Sequence, residues 1–323
     1  MKYLLLSLIS FFIVGKAEAQ YSQSPPTDFR KYTNYISEQR LESILTFLSS
    51  DSAGGRATGS YEMTTITAFL IDRLKSMSIK PLIDSTFVDS FYIDYYTIAR
   101  NVVGILPAKL YSDKYIVVSA HYDHIGTLEG TIYNGADDNA SGVTALLTIA
   151  DMLARMRYDH VGPEHNIIFA FLDAKENNMS GSKHFLNNLP IPTEKILYEI
   201  NIDQIGSTLS PPGNSENYIL VLPDNDIKYE IRRRLDYVNT VYGLNMDIDH
   251  TFYGSPAFFD IFFKISDQYI FSQKKIPSML FTSGITTHTY KQTDDHDLIN
   301  YAVLADRIKL IFHLINNLSI SPF

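Results

Sequence analysis

The sequence predicts an α/β protein, a three-layer sandwich with a mostly parallel central sheet flanked by helices. Two observations carry this. The runs Tyr115-Ile116-Val117-Val118-Ser119-Ala120 and Asn166-Ile167-Ile168-Phe169-Ala170-Phe171-Leu172 are short, rich in β-branched residues and almost wholly apolar. They suit strands covered on both faces. Segments with a helical apolar period alternate with such runs, which is the pattern of helices packed on a parallel sheet.

The elements follow in order. Leu41, Ile44, Leu45 and Leu48 have helical spacing from Arg40 on. The stretch Ser49 to Arg56 reads as a loop. Ser60 is placed to cap a second helix with Met63, Ile66, Phe69, Leu70 and Leu74 on its apolar face. Asn101-Val102-Val103-Gly104-Ile105-Leu106 and the run from Tyr115 are strands. A helix is expected from about Ser141 to Arg157, then the strand from Asn166. Further strands end at Ile202 and span Tyr218 to Leu222. A charge-rich helix covers about Asp226 to Val241, and Pro277 to Phe281 reads as a late strand. The last helix, about Tyr301 to Leu318, turns Val303, Leu304, Ile308, Ile311, Phe312 and Ile315 inward.

The chain has 323 residues, 45% hydrophobic and 20% charged, without Cys or Trp. This composition excludes a disordered tail, a collagen-like repeat and a disulfide-stapled mini-domain. Without thiolates, any metal must be held by His, Asp and Glu. A formal charge of −9 lacks the basic balance of a nucleic-acid binder. Lys2, the apolar run Leu4 to Val14 and Ala17-Glu18-Ala19 read as a secretory signal peptide over residues 1–19. Cleavage after Ala19 leaves 304 residues with a charge of −10. Residues 20–38 read as a loose leader and 39–323 as a single domain. The expected location is periplasmic or extracellular, with no membrane contact after cleavage.

Three strands end on residues that carry chemistry. One ends at His121-Tyr122-Asp123-His124, one at Asp173 with Lys175 and Glu176 beyond it, and one at Asp203. Gly135-Ala136-Asp137-Asp138-Asn139-Ala140-Ser141-Gly142 leads into a helix. Ligands of open α/β sheets sit at the carboxyl ends of strands, and converging imidazole and carboxylates make a site for a divalent ion. Asp123 is suited to orient the ring of His121. Read singly, Asp137 to Ser141 is also what a helix cap looks like, and His124 reads as a hydrogen-bonded loop residue.

His121-Tyr122-Asp123-His124-Ile125-Gly126 followed by the string from Gly135 resembles family 28 of the metallopeptidases, co-catalytic zinc aminopeptidases with glutaminyl cyclases as relatives. Gly55 to Ser60, Arg100 to Gly104, Gly181-Ser182, Asn201-Ile202-Asp203, Ser266-Asp267, Ile276-Pro277 and Asp294 to Tyr301 extend the resemblance over most of the chain. It implies a zinc-exopeptidase-like domain. His121 and Asp203 would hold one zinc ion, Asp138 would bridge two, and Glu176 would hold the second. The implied partners are peptide or protein N-termini.

Two positions depart from the family pattern. Lys175 stands where the general-base glutamate is usual, and Tyr290 stands where the second ion's histidine is usual. His288 and His296 are the nearby alternatives to Tyr290. A neutral Lys175 could act as base, and a charged one could replace the second ion's charge. The expectation is therefore one zinc ion rather than two. Two readings stay open: a secreted metallo-aminopeptidase with altered residues, and a catalytically degenerate protein that binds peptides or amino termini in the old pocket. Residues from the loops near Tyr253 and Phe258-Phe259, and Tyr269, are candidates for lining that pocket, and these aromatics read equally as core or lid residues.

Overall fold

The computed structural model describes residues 28–83 and 85–320. The expected signal peptide and the first part of the leader lie outside them. The rest of the leader differs from the expectation. Helix α1 (Arg30–Thr33) docks on the domain, with Phe29 and Tyr32 buried and the Tyr32 hydroxyl donating to Asp159 at 2.7 Å. Two apolar aromatics within a polar stretch account for it, since burying each is favourable by about 1.5–3 kcal/mol.

Helix α2 (Glu38–Leu48) starts at Ser37, whose hydroxyl accepts from the Arg40 amide. Helix α3 (Glu62–Ser76) follows, and the Ser60 hydroxyl accepts from the Met63 amide as expected of a cap. Three strands come next: β1 (Lys80–Pro81), β2 (Val88–Tyr92) and β3 (Ile98–Leu106). Strand β4 (Tyr115–His121), the hairpin β5 (Gly126–Leu128) and β6 (Thr131–Tyr133), helix α4 (Gly142–Tyr158) and β7 (Asn166–Leu172) form the middle of the chain. Then come α5 (Ser180–Asn187), β8 (Ile196–Ile202), β9 (Tyr218–Pro223), α6 (Lys228–Tyr242) and β10 (Asp247–Asp249). The chain continues with α7 (Pro256–Phe263), α8 (Gln268–Gln273), β11 (Ser278–Thr282) and α9 (Tyr301–Ile320).

The main sheet has nine strands in the order β1-β3-β7-β4-β8-β11-β9-β10, with β2 also paired to β3. Its centre is parallel: β7 with β4, β4 with β8, and β8 with β11. Outside that centre the pairings of β1, β2 and β7 with β3, and of β9 with β11, are antiparallel, so the sheet as a whole is mixed.

Side chains along a strand point alternately to opposite faces, and both faces are covered. Val118, Ala120, Phe169, Phe171, Ile200 and Ile202 meet α4, α9 and α3. Val117, Ile168, Ala170 and Leu172 meet Phe185 of α5 and Ile270 and Phe271 of α8. Helix α4 is apolar around most of its circumference because it lies between the sheet and the helices beyond it. Among the described residues no helix is long and apolar enough to cross a membrane.

Candidate metal centre

The parallel strands β4, β7 and β8 all point their carboxyl ends to one side, and the residues just past those ends meet there. His121 closes β4, Asp173 to Glu176 follow β7, and Asp203 follows β8. The turn Ala136–Ser141 crosses above them into α4, with non-helical backbone at Asp138 and Asn139.

Each segment is pinned by a buried polar side chain that bonds main chain. Asn139 donates to the carbonyls of His121 (3.2 Å) and Ile202 (2.9 Å) and accepts from the amides of Gly142 (3.1 Å) and Gln204 (2.9 Å). It thereby ties β4, β8 and α4 together. Asp294 accepts from the amides of Asp137 and Asp138 at 2.8 and 3.0 Å, and Asp137 accepts from Gly206 and Ser207. Burial pushes the Asp294 carboxyl up to about 7 and Asp137 up to about 6. Asp173 accepts from the Arg100 and Ala174 amides and the Thr58 hydroxyl, and burial pushes it up to about 7.

Arg56 is fully buried beneath the turn. Its guanidinium donates to five carbonyls: Leu48 (2.8 Å), Tyr122 (2.9 Å), Asn134 (2.6 Å), Gly135 (2.8 Å) and Asp138 (3.3 Å). Burial lowers its pKa to about 10, so it stays charged at neutral pH.

Gly135 opens the turn with φ +58°. A Cβ there would collide with the Asp138 carbonyl oxygen and stand 2.5 Å from the His124 ring. Gly135→Ala is expected to cost about 1–3 kcal/mol, the usual toll of a strained left-handed residue. Urea unfolding of variant and natural chain checks this.

Two triads share Asp138: His121 with Asp138 and Asp203, and His124 with Asp138 and Glu176. Within each, the candidate ligand atoms lie within 4.8 Å of one another. His121 Nε2 is 3.2 Å from Asp203 Oδ1 and 3.4 Å from Asp138 Oδ1. Burial disfavours charge at both carboxylates, but Lys175 and His121 outweigh it and hold both below the usual carboxylate range. Burial also opposes a proton on His121, yet Asp203 and the contacts with Asp123 and Asp138 keep its pKa well above the ordinary value. The pocket thus calls for positive charge.

The polar atoms left over fit a divalent cation. Both carboxylate oxygens of Asp138 and both ring nitrogens of His124 are buried without a hydrogen-bond partner. Leaving such an atom unsatisfied costs about 1–3 kcal/mol. His124 is 2% exposed, and burial pushes its pKa down to about 4, so the ring is neutral and offers a lone pair. Of the two readings open from sequence, a residue of the metal site or a hydrogen-bonded loop residue, it lacks the hydrogen bonds of the second. The one signal for it was a second imidazole three positions past His121.

Asp123 does more than orient His121. Its carboxylate accepts from the amides of Lys175 and Glu176, both at 3.0 Å, and lies 3.7 Å from His121 Nδ1. Lys175 is 8% exposed, and its ammonium donates to Glu176 Oε1 at 2.9 Å and to the Tyr290 hydroxyl at 3.1 Å. Burial pulls its pKa down, but Asp138, Asp203 and Glu176 together raise it well above the ordinary value. These surroundings favour the ammonium, not the neutral amine a base needs.

Tyr290 reaches the pocket, with its ring stacked parallel to His124 at 6.1 Å and its hydroxyl 3.3 Å from Glu176 Oε1. Burial pushes the phenol up to about 12, so it is a neutral donor rather than a phenolate ligand. His288 turns away to Thr293 at 2.9 Å and joins neither triad.

A narrow cavity of about 50 Å³ opens beside the triads. Lys175, Asp203, Gln204 and Tyr290 form its polar side, and Phe252, Phe262, Ile265, Leu280 and Ile285 its apolar side. Phe252 and Phe262 come from the stretches around Tyr253 and Phe258-Phe259 expected there, while the four named aromatics themselves lie elsewhere. Phe259 packs into a core with Tyr218 and Leu220, Tyr269 packs beside it, Phe258 is exposed, and Tyr253 donates to the Ser210 carbonyl.

This fold, with imidazoles and carboxylates gathered at the ends of its parallel strands, defines a peptidase-like α/β protein. The chain belongs to peptidase family M28, whose sequence profile matches residues 101–315. An aminopeptidase of Pseudomonas aeruginosa (strain UCBPP-PA14) is 37% identical over 93 residues, 28% of this chain and 16% of that protein. The BOS complex subunit ncln of Danio rerio is 33% identical over 103 residues, 32% of this chain and 18% of that protein. The chain thus spans less than a fifth of the length of these relatives. Among solved structures, LapB from Legionella pneumophila superposes with a TM-score of 0.69 at 18% identity, covering 92% of this chain and 76% of LapB. A zinc aminopeptidase from Bacillus subtilis superposes with 0.66 at 12% identity, covering 87% of this chain and 95% of that one.

Proposed function

We propose that this chain is an exported M28-fold protein that holds one zinc ion through His121, Asp138 and Asp203 and binds peptide amino termini without hydrolysing them at peptidase rates. The observation that carries this is the Lys175 ammonium paired with Glu176 in the pocket. A bound zinc ion would supply Lewis acidity at the base of the cavity.

Hydrolysis also needs a group to take a proton from water, and the side chains facing the cavity do not supply one. The Glu176 carboxylate 2.9 Å away favours the Lys175 ammonium, and burial favours the neutral Tyr290 phenol. Asp138 and Asp203 are committed to the ion, and Glu176 is held by Lys175. What remains is a binding cleft with an apolar wall and a charged rim. Its occupant is the chain end that the family resemblance implies, a peptide amino terminus with an apolar neighbour against Phe252 and Phe262. Export rests on the segment over residues 1–19.

The second reading is an active aminopeptidase. One observation favours it: His124 gives the second triad an imidazole despite Tyr290.

Zinc content and peptide binding decide between them. The purified chain is expected to carry one zinc ion, lost in Asp138→Asn. It is expected to bind peptides with a free amino terminus over acetylated ones in calorimetry, and to leave aminoacyl chromophores uncleaved with added zinc, manganese or cobalt. Two tightly bound ions together with metal-dependent cleavage would establish the active reading instead.

A further inference from the structure

We propose that Lys175 fills a second cation site built from His124, Asp138 and Glu176, with His124 in place of the histidine that Tyr290 displaces. This rests on the one-ion reading above and specifies why the second ion is missing.

Three observations carry it. His124 is almost wholly buried, and neither ring nitrogen has a hydrogen-bond partner. Its Nδ1 lies 3.9 Å from Asp138 Oδ2, whose oxygens are also unpartnered. The buried His250 also lacks ring partners, so what marks His124 is its place beside the unpartnered Asp138 carboxylate. The Lys175 ammonium sits on Glu176, the third member of this triad, at 2.9 Å. It thereby neutralises a carboxylate that a second ion would need, while the Asp138 oxygens stay unpartnered.

The arrangement explains why His288 and Tyr290 do not serve. His288 bonds Thr293, and the Tyr290 hydroxyl bonds the Lys175–Glu176 pair rather than offering a lone pair to a cation. His124 is close because its amide donates to the Arg56 carbonyl and Ala57 bridges to it, fixing the loop beneath the turn that carries Asp138. A neutral imidazole with two carboxylates is an ordinary N and O donor set for zinc.

Removing the ammonium should expose the site. Zinc per chain, measured by elemental analysis and titration calorimetry, is expected to rise from one in the natural protein to two in Lys175→Ala. It should return to one in Lys175→Ala with His124→Phe. Adding Tyr290→His to that pair should restore two, which shows that the loss was of a ligand and not of the fold. Thermal unfolding by circular dichroism accompanies each variant, with Lys175→Gln as the replacement if the alanine protein does not fold. One ion in the Lys175 variants would overturn the inference and leave the one-ion reading standing. Two ions that persist without His124 would overturn the role of His124. Two ions already present in the natural protein would overturn both.

Discussion

Lys175→Glu together with Tyr290→His is expected to raise aminopeptidase turnover about 10²–10⁴-fold over the natural chain, the usual contribution of a general base. The main chain at residue 175 is already held, because the Asp123 carboxylate accepts from its amide and from that of Glu176. A carboxylate introduced there inherits a fixed position. It also replaces an ammonium that neutralises Glu176. If His124 serves as ligand, Lys175→Glu alone captures most of the gain and Tyr290→His adds little. Steady-state kinetics on an aminoacyl chromophore with zinc present measure both effects. A fall from an existing activity would mean that Lys175 already performs catalysis, and the binding reading would be wrong.

Arg56→Met is expected to destabilise the fold by about 3–5 kcal/mol, because it orphans buried carbonyls that share one cation. Five carbonyls from three stretches of chain converge on this guanidinium. Methionine matches much of the bulk, so little of the loss comes from an empty cavity. Urea unfolding at pH 7 measures it, and a change below about 1 kcal/mol would show that water replaces the guanidinium. Zinc affinity should fall with stability, since Asp138 sits on the turn that Arg56 supports.

The parts of this molecule legible in the sequence are those with dense local signals. Buried strands β4, β7 and β9 announce themselves as apolar runs, and α4 and α9 as long helical periods. The acidic residues just past those runs locate the pocket, because a strand's last apolar residue points to where its loop begins. The antiparallel edge is harder. Lys80–Pro81 is too short to show a period, and in Val88–Tyr92 only Phe91 is buried, so nothing alternates clearly. The docked part of the leader is hard to read for a similar reason, since Phe29 and Tyr32 are two buried aromatics in a polar stretch.

The site divides in the same way. His121, Asp138, Glu176 and Asp203 could be placed by their position at strand ends and by family resemblance. The family pattern puts Lys175 and Tyr290 in the same half of the site, but the hydrogen bond between their side chains could not be placed. Nor could the condition of His124. Whether an imidazole has a hydrogen-bond partner depends on what the fold brings near it, and its neighbours Asp138 and Glu176 come from two other loops.

Asn139, Asp123, Asp294 and Arg56 share a property with a historical consequence. Each grips amides or carbonyls of its neighbours and so is indifferent to which side chains those neighbours carry. Lysine and glutamate codons differ by one nucleotide, as do tyrosine and histidine codons. A lineage with this architecture can therefore exchange its reagents at 175 and 290 in small genetic steps without rebuilding its scaffold. Loss of peptidase chemistry along such a lineage would be reversible.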